Sequence, residues 1–130
     1  MSLQEWNLSH DEIAAASTDD LLKANIVADR IKSLLGDQLR KVILFGSRAR
    51  GDAREDSDFD FIVIADFTEP SWIERGKQLR KHVNATRELD IDVDYLPMTD
   101  WEFENKFMFA RAVREEGVVL YEKRNTALDR

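Results

Sequence analysis

The sequence predicts an α+β fold, a small mixed β-sheet covered by helices. Three observations carry that reading. Short β-branched runs, KVILF at 41–45 and DFDFIVIA at 58–65, are bounded by turn residues; a clean alternating run, LDIDVDYLP, follows at 89–97; and segments of helical period lie before and between them. A chain of 130 residues with 43% hydrophobic content, no repeat and no Pro/Gly-rich linker is expected to form one domain around one core. The reading is a single domain over 1–130, with residues 1–16 as an N-terminal extension and 122–130 as a mobile tail.

STDDLLKANIVADRIKSLLG carries a cap at Ser17 or Thr18, acids in the first turn, apolar Leu21, Ala24, Ala28, Ile31 and Leu35 at helical spacing, and Gly36 as a stop. KVILF ends at Gly46 and reads as a buried strand, as does DFDFIVIA. Ser71 with Glu74, and Thr99 with Glu102, fit capping boxes that open two further helices, the first being SWIERGKQLRKHVNATREL. Pro70 and Pro97 punctuate the patterned segments. Gly117 closes the last helix and VVLY gives a final short strand.

Composition excludes several functions. Without cysteine there is no disulfide framework and no thiolate zinc site, so a metal here is held by oxygen. No segment approaches the ~20 apolar residues needed to span a bilayer, and MSLQEWNLSHDE does not read as a secretion signal, which makes the cytoplasm the expected compartment and a membrane partner unexpected. The net charge of −7 opposes non-specific DNA binding, which needs a surplus of Lys and Arg. His10 and His82 read as surface residues.

The segment ILFGSRARGDAREDSDFDF, residues 43–61, carries the chemistry. In a strand, residues two apart share a face, so Asp58 and Asp60 project together, and Asp90, Asp92 and Asp94 do the same on the later strand. If those faces adjoin, unit charges ~4 Å apart repel by ~4 kcal/mol at an effective dielectric of ~20. A divalent cation, Mg²⁺ or Mn²⁺, removes that cost and binds through carboxylates together with substrate phosphates. Gly46 and Ser47 follow the first strand, where glycine admits close backbone approach, a hydroxyl can donate, and the start of a helix favours anions. Arg48, Arg50 and Arg54 can supplement this phosphate seat, although five acids between residues 52 and 60 leave the segment negative.

Two alternative motifs fail. A P-loop needs Lys-Ser/Thr after its second glycine, where this chain has Asp52 and Ala53; an EF-hand starting at Asp56 needs Gly and Glu where Phe61 and Phe67 stand.

GSRARG, the ten residues between Ser47 and Asp58, and the DFD pair resemble the minimal nucleotidyltransferases of the DNA polymerase β superfamily, the MNT group, over roughly residues 20–121. The resemblance implies the nucleotidyltransferase fold, with Gly46, Ser47 and Arg48 at the triphosphate and Asp58 and Asp60 as catalytic metal ligands. It also implies a third carboxylate on a following strand: Asp92 is the closer match, and Asp94, on the same face, is its rival. The implied activity is transfer of a nucleoside monophosphate, AMP from ATP, to an acceptor hydroxyl by a two-metal mechanism. Many members of the group are antitoxins that bind and adenylylate a HEPN-type toxin. An alternative is a catalytically weak or inactive antitoxin-like subunit that neutralises its partner by contact. Aminoglycoside nucleotidyltransferases share the core but append a second domain, for which little chain remains after residue 121. The acceptor pocket is then expected to be completed by another chain, a second copy or a toxin.

The helix from Thr99 carries Trp101, Phe103, Phe107, Met108 and Phe109, more aromatic and apolar surface than one stripe can bury, so core packing and a partner surface are both open readings.

Overall fold

In a computed structural model the protein is described over residues 16–83 and 88–124. Most of the N-terminal extension including His10, most of the tail, and residues 84–87 of the helix expected at 71–89 lie outside those described. Helix α1 spans Thr18–Leu35. Ser17 caps it by accepting from the Asp20 amide, and Gly36, at φ 57, ends it in the left-handed region that favours glycine. A short 3₁₀ turn leads into β1 (Leu39–Phe45), followed by the single-turn helix α2 (Ser47–Arg50), β2 (Phe59–Ala65), α3 (Trp72–His82), β3 (Val93–Met98), α4 (Asp100–Glu104), α5 (Phe107–Glu116) and β4 (Val118–Glu122).

The sheet is mixed, with strand order β3-β2-β1-β4. β1 pairs antiparallel with β2 and β4, while β2 and β3 are parallel and joined through α3. The period of two sorts β2 into two faces. Phe59, Phe61, Val63 and Ala65 turn to α1 and pack with Ala24, Val27, Ala28 and Ile31; Ile62 and Ile64 turn the other way, to Met98, Phe103, Ala110 and Val113. Asp60 stands at the open end of that second row. Charge therefore sits close to the core because one apolar strand face finishes in a carboxylate.

Several expectations change in the structure. LDIDVDYLP does not begin as a strand: Asp90 has φ 55 in a turn, and β3 starts only at Val93, so Asp90, Asp92 and Asp94 do not form one strand face. The helix expected from Thr99 is two helices. Along one continuous helix Phe103 and Phe109 would point about 120° apart. The break at Asn105 lets both reach the same core, with rings 6.3 Å apart and edge on. Thr99 and Glu102 form a complete capping box, whereas Ser71 forms half of one: it accepts from Glu74 N, but the Glu74 carboxylate turns to Lys77. Among the described residues no helix is long and apolar enough to cross a membrane.

Gly117 is required for space rather than for backbone conformation, since its φ is −78. A Cβ there would lie 2.7 Å from both Ile43 Cγ2 and Val113 O. Gly117→Ala is expected to destabilise the fold by about 1–3 kcal/mol, the usual cost of overpacking. Urea denaturation would measure the loss, and an unchanged midpoint would mean that the α5–β1 contact yields freely.

Candidate active site

β1 delivers its last residue, Phe45, directly opposite Asp60 of β2. The next residue, Gly46, has φ 81 and ψ −159, a conformation that is essentially glycine's alone. A side chain there is also excluded by space, because a Cβ would collide with Asp60 Oδ2. The Gly46–Ser47 turn is thus laid against the Asp60 carboxylate. Its carbonyl accepts from Ala49 N and Arg50 N, both at 3.0 Å, which starts α2. With only four residues α2 contributes little macrodipole. What the turn offers is bare backbone and the Ser47 hydroxyl.

Asp60 is half-buried; Asp58, two residues earlier, is exposed just before β2. The parallel register sets Asp94 beside Asp60. Burial, then the charges of Asp94 and Asp58, hold the Asp60 carboxyl above the usual carboxylate range, and Arg50 opposes them. The Asp94 carboxylate, itself exposed, lies 3.4 Å from Arg80 Nη2 on α3. Asp92 precedes the strand. Its carbonyl accepts from Phe59 N at 2.8 Å, and the residue lines a small polar cleft with Arg48, Glu55, Asp56 and Ser57. Of the two rivals, Asp94 is the one whose charge reaches Asp60.

Arg48 does not stand free for phosphate. Nη1 lies 3.2 Å from Asp20 Oδ1, Nε and Nη2 donate to the Ser57 carbonyl, and Nη2 also donates to that of Glu55. The guanidinium lies 4.6 Å from the centre of the Phe59 ring. All three nitrogens are committed to the protein, so Arg48 ties α1 to the loop that leads into Asp58. Asp20, its partner, reads in the sequence only as a first-turn acid; nothing local distinguishes it. Arg50 is the exposed cation whose charge acts on Asp60, while Nε faces Asp52 at 3.3 Å and Nη1 faces Glu116 at 3.5 Å. His82 is exposed, as expected.

For a divalent cation, the donors fit in kind and in backbone placement: hard carboxylate oxygens from two adjacent strands, with the Asp60 carboxyl held above its usual range by burial and by the neighbouring acids. Their side chains do not converge as they stand. Among the described residues no three acidic or histidine side chains sit together around a common point, and Asp94 is drawn toward Arg80.

Known proteins share this arrangement of sequence and fold. The nucleotidyltransferase domain profile matches residues 24–120. A protein of Methanocaldococcus jannaschii, named "Putative protein adenylyltransferase MJ0604", is 32% identical over 93 residues, covering 70% of this chain and 87% of its own. Among solved structures, "a putative nucleotidyltransferase from Sulfolobus solfataricus" superposes with a TM-score of 0.55 at 24% identity, over 81% of this chain and 82% of that one. A chain of a toxin-antitoxin structure with AMP-PNP superposes with a TM-score of 0.57 at 20% identity, over 78% of this chain and 76% of that one. Those likenesses bear on the fold; the profile match, which spans most of the chain and contains the Gly46–Ser47 turn and Asp58, Asp60, Asp92 and Asp94, places this protein in the nucleotidyltransferase domain family.

Proposed function

We propose that the protein is a metal-dependent adenylyltransferase that moves AMP from ATP to a hydroxyl of an acceptor protein, with Asp58, Asp60 and Asp94 as the cation-binding carboxylates. The single observation that carries this reading is the placement of Asp60, pressed against the side-chain-free Gly46 turn on one side and flanked by Asp94 on the other. AMP and a protein acceptor are supported by the name of the Methanocaldococcus relative. A toxin as partner is supported by the toxin-antitoxin structure that shares the fold, and its HEPN type by the sequence resemblance alone.

In this reading Gly46 and Ser47 receive the triphosphate through bare backbone and hydroxyl, and Arg50 supplies positive charge to it. Arg48 serves by holding the loop before Asp58. A bound divalent cation would neutralise the carboxylates, activate the acceptor hydroxyl and stabilise departing pyrophosphate. The acceptor oxygen, its hydroxyl proton passing to solvent, bonds to the α-phosphorus as the bond from that phosphorus to the pyrophosphate oxygen breaks. Transfer of this kind draws on positioning and charge stabilisation, so no covalent enzyme intermediate is required.

A second reading has its own observation. The Asp94–Arg80 pair and the unconverged acids suit a subunit that neutralises its partner by contact alone. Incubation with Mg²⁺, α-labelled ATP and a co-expressed partner separates the two. Label that moves to the partner, needs the divalent cation and disappears with EDTA supports the enzyme; tight partner binding with no label at any Mg²⁺ or Mn²⁺ concentration supports the contact reading.

The choice of third carboxylate has a direct test. Asp94→Asn is expected to lower the Asp60 pKa, because it removes a charge that raises it, and to reduce transfer about 10²-fold or more. Asp92→Asn is expected to leave both within a few-fold of wild type. Carboxyl NMR titration and labelling rates measure the pair, and the reverse order would return the role to Asp92.

A further inference from the structure

Beyond the acids, the face of β3 that carries Asp94 continues into an apolar cleft. Residues two apart on a strand share a face, so Leu96 and Met98 lie along the row that begins at Asp94, roughly 7 and 13 Å away at ~3.3 Å per residue. These two residues floor a cleft of about 490 Å³, walled by Trp72 at the start of α3 and by Phe107, Met108 and Phe109 at the start of α5. Phe107 and Met108 are 71% and 74% exposed, so they are not core residues lacking only a better rotamer. The Lys106 ammonium lies 5.1 Å from the centre of the Trp72 ring and leaves the rim cationic.

Which reactant the cleft serves follows from the strand order. Gly46 follows β1, Asp60 is on β2 and Asp94 is on β3. The proposed triphosphate seat therefore lies at the end of β1 and the cleft floor on β3, two strand spacings or about 10 Å across, with the Phe109 wall reaching back to Phe45 of β1 at 5.8 Å between ring centres. A substrate entering from the β3 side meets Asp94 first and the apolar floor next, which is the path of the acceptor rather than the nucleotide.

We propose that the cleft floored by Leu96 and Met98 is an acceptor subsite, taking a leucine- or phenylalanine-sized side chain of the acceptor polypeptide two to four residues from the hydroxyl that receives the nucleotide. The spacing comes from matching an extended peptide, at ~3.3 Å per residue, to the separation between Asp94 and the cleft floor. Aromatic walls and the adaptable Met108 thioether suit an apolar anchor, and the basic rim favours an acidic neighbour beside it. This subsite rests on the adenylyltransferase reading given above.

The test uses the full chain with Mg²⁺, α-labelled ATP and an array of synthetic dodecapeptides. Each peptide holds one serine, threonine or tyrosine and either one leucine or phenylalanine two to four residues away, or alanine in its place. Expected is at least 10-fold more label on the leucine and phenylalanine peptides, with that preference lost in Met108→Asp and kept in Leu22→Glu, an exposed position on α1. Affinity for Mg²⁺ and ATP, measured by calorimetry, should be the same in all three proteins. Equal labelling of the alanine peptides overturns the subsite, as does a Met108→Asp protein that loses ATP affinity, which would make the cleft a nucleotide pocket. Pyrophosphate release without peptide, in which water takes the place of the acceptor hydroxyl and free AMP is the second product, is expected to be abolished in Asp60→Asn and reports the underlying reaction on its own. A wild type that releases pyrophosphate and labels no peptide therefore sinks the subsite and leaves the reaction standing, while one that neither releases pyrophosphate nor labels a peptide overturns both.

Discussion

Asp60→Asn is expected to abolish nucleotidyl transfer, by about 10³-fold or more, and at the same time to make the protein more stable at neutral pH. The first effect follows from position: Asp60 is the acid between the Gly46 turn and Asp94, and preorganised charge at the reacting centre commonly contributes more to such catalysis than anything else the protein supplies. The second follows from the sign of its titration. Burial and its neighbours raise the Asp60 pKa above the ordinary 3.8, so the folded protein binds this proton more tightly than the unfolded chain does. Stability from this group is fully present below about pH 3.8 and is lost as pH rises through the folded value. At pH 7 the ionised carboxylate is a net cost, which asparagine removes. Single stabilising substitutions commonly give about 0.5–2 kcal/mol, and the gain here is expected toward the lower end because Asp60 is only half-buried and solvent screens it. Thermal melts at pH 7 should show the variant above wild type, with the difference shrinking in acid, and added Mg²⁺ should stabilise wild type more than the variant. Wild-type transfer rates in Asp60→Asn would remove Asp60 from the reaction; a variant less stable than wild type at pH 7 would show that its carboxylate is compensated after all.

How far the sequence discloses this site depends on which interactions are local. The strand pair, the Gly46–Ser47 turn and Asp60 on β2 are written in period and spacing, which neighbouring residues determine, although Asp58 falls just before the strand instead of on its face. So is α1, with its Ser17 cap, and so is the Thr99–Glu102 box. The third acid is not local. Asp92 and Asp94 satisfy the same alternation, and only the register of β3 on β2, set by the turn at Asp90, decides which one stands beside Asp60. Arg48 is hidden for the same reason: its motif position suggests phosphate, but its partner Asp20 comes from α1, and pairing across the fold decides where a guanidinium points. The division of the last helical segment into α4 and α5 also rests on tertiary packing, since it lets Phe103 and Phe109 meet in one core.

The largest structural loss is expected at Arg75, a residue that no motif marks. It is 4% exposed, and its guanidinium joins three elements. Nη1 lies 2.7 Å from Glu102 Oε1 and 3.4 Å from the Pro97 carbonyl, Nε donates to the Glu69 carbonyl at 2.6 Å, and the group stacks over Phe67 with 5.0 Å to the ring centre. Arg75→Met keeps the length and apolar packing but leaves the Glu102 carboxylate without its cation and takes the guanidinium donor from the Glu69 and Pro97 carbonyls. Breaking a buried pair from one side costs about 3–5 kcal/mol. Glu102 is a quarter exposed, and Thr99 N still donates to it, so the loss is expected toward the lower end of that range. Glu102→Gln should cost less, because an amide oxygen can still serve the Thr99 cap. The pH dependence distinguishes this account from simple loss of packing. The Arg75 hydrogen bond, with help from Thr99, holds the Glu102 carboxyl below its ordinary 4.5, so its contribution is present above that pH and is lost as pH falls through the folded value. The stability gap between wild type and Arg75→Met should therefore narrow in acid, and the double variant with Glu102→Gln should lose less than the sum of the two single losses. Strict additivity, with a gap constant between pH 7 and pH 3, would assign the whole effect to the packing of Arg75 on Phe67 and none to the ion pair.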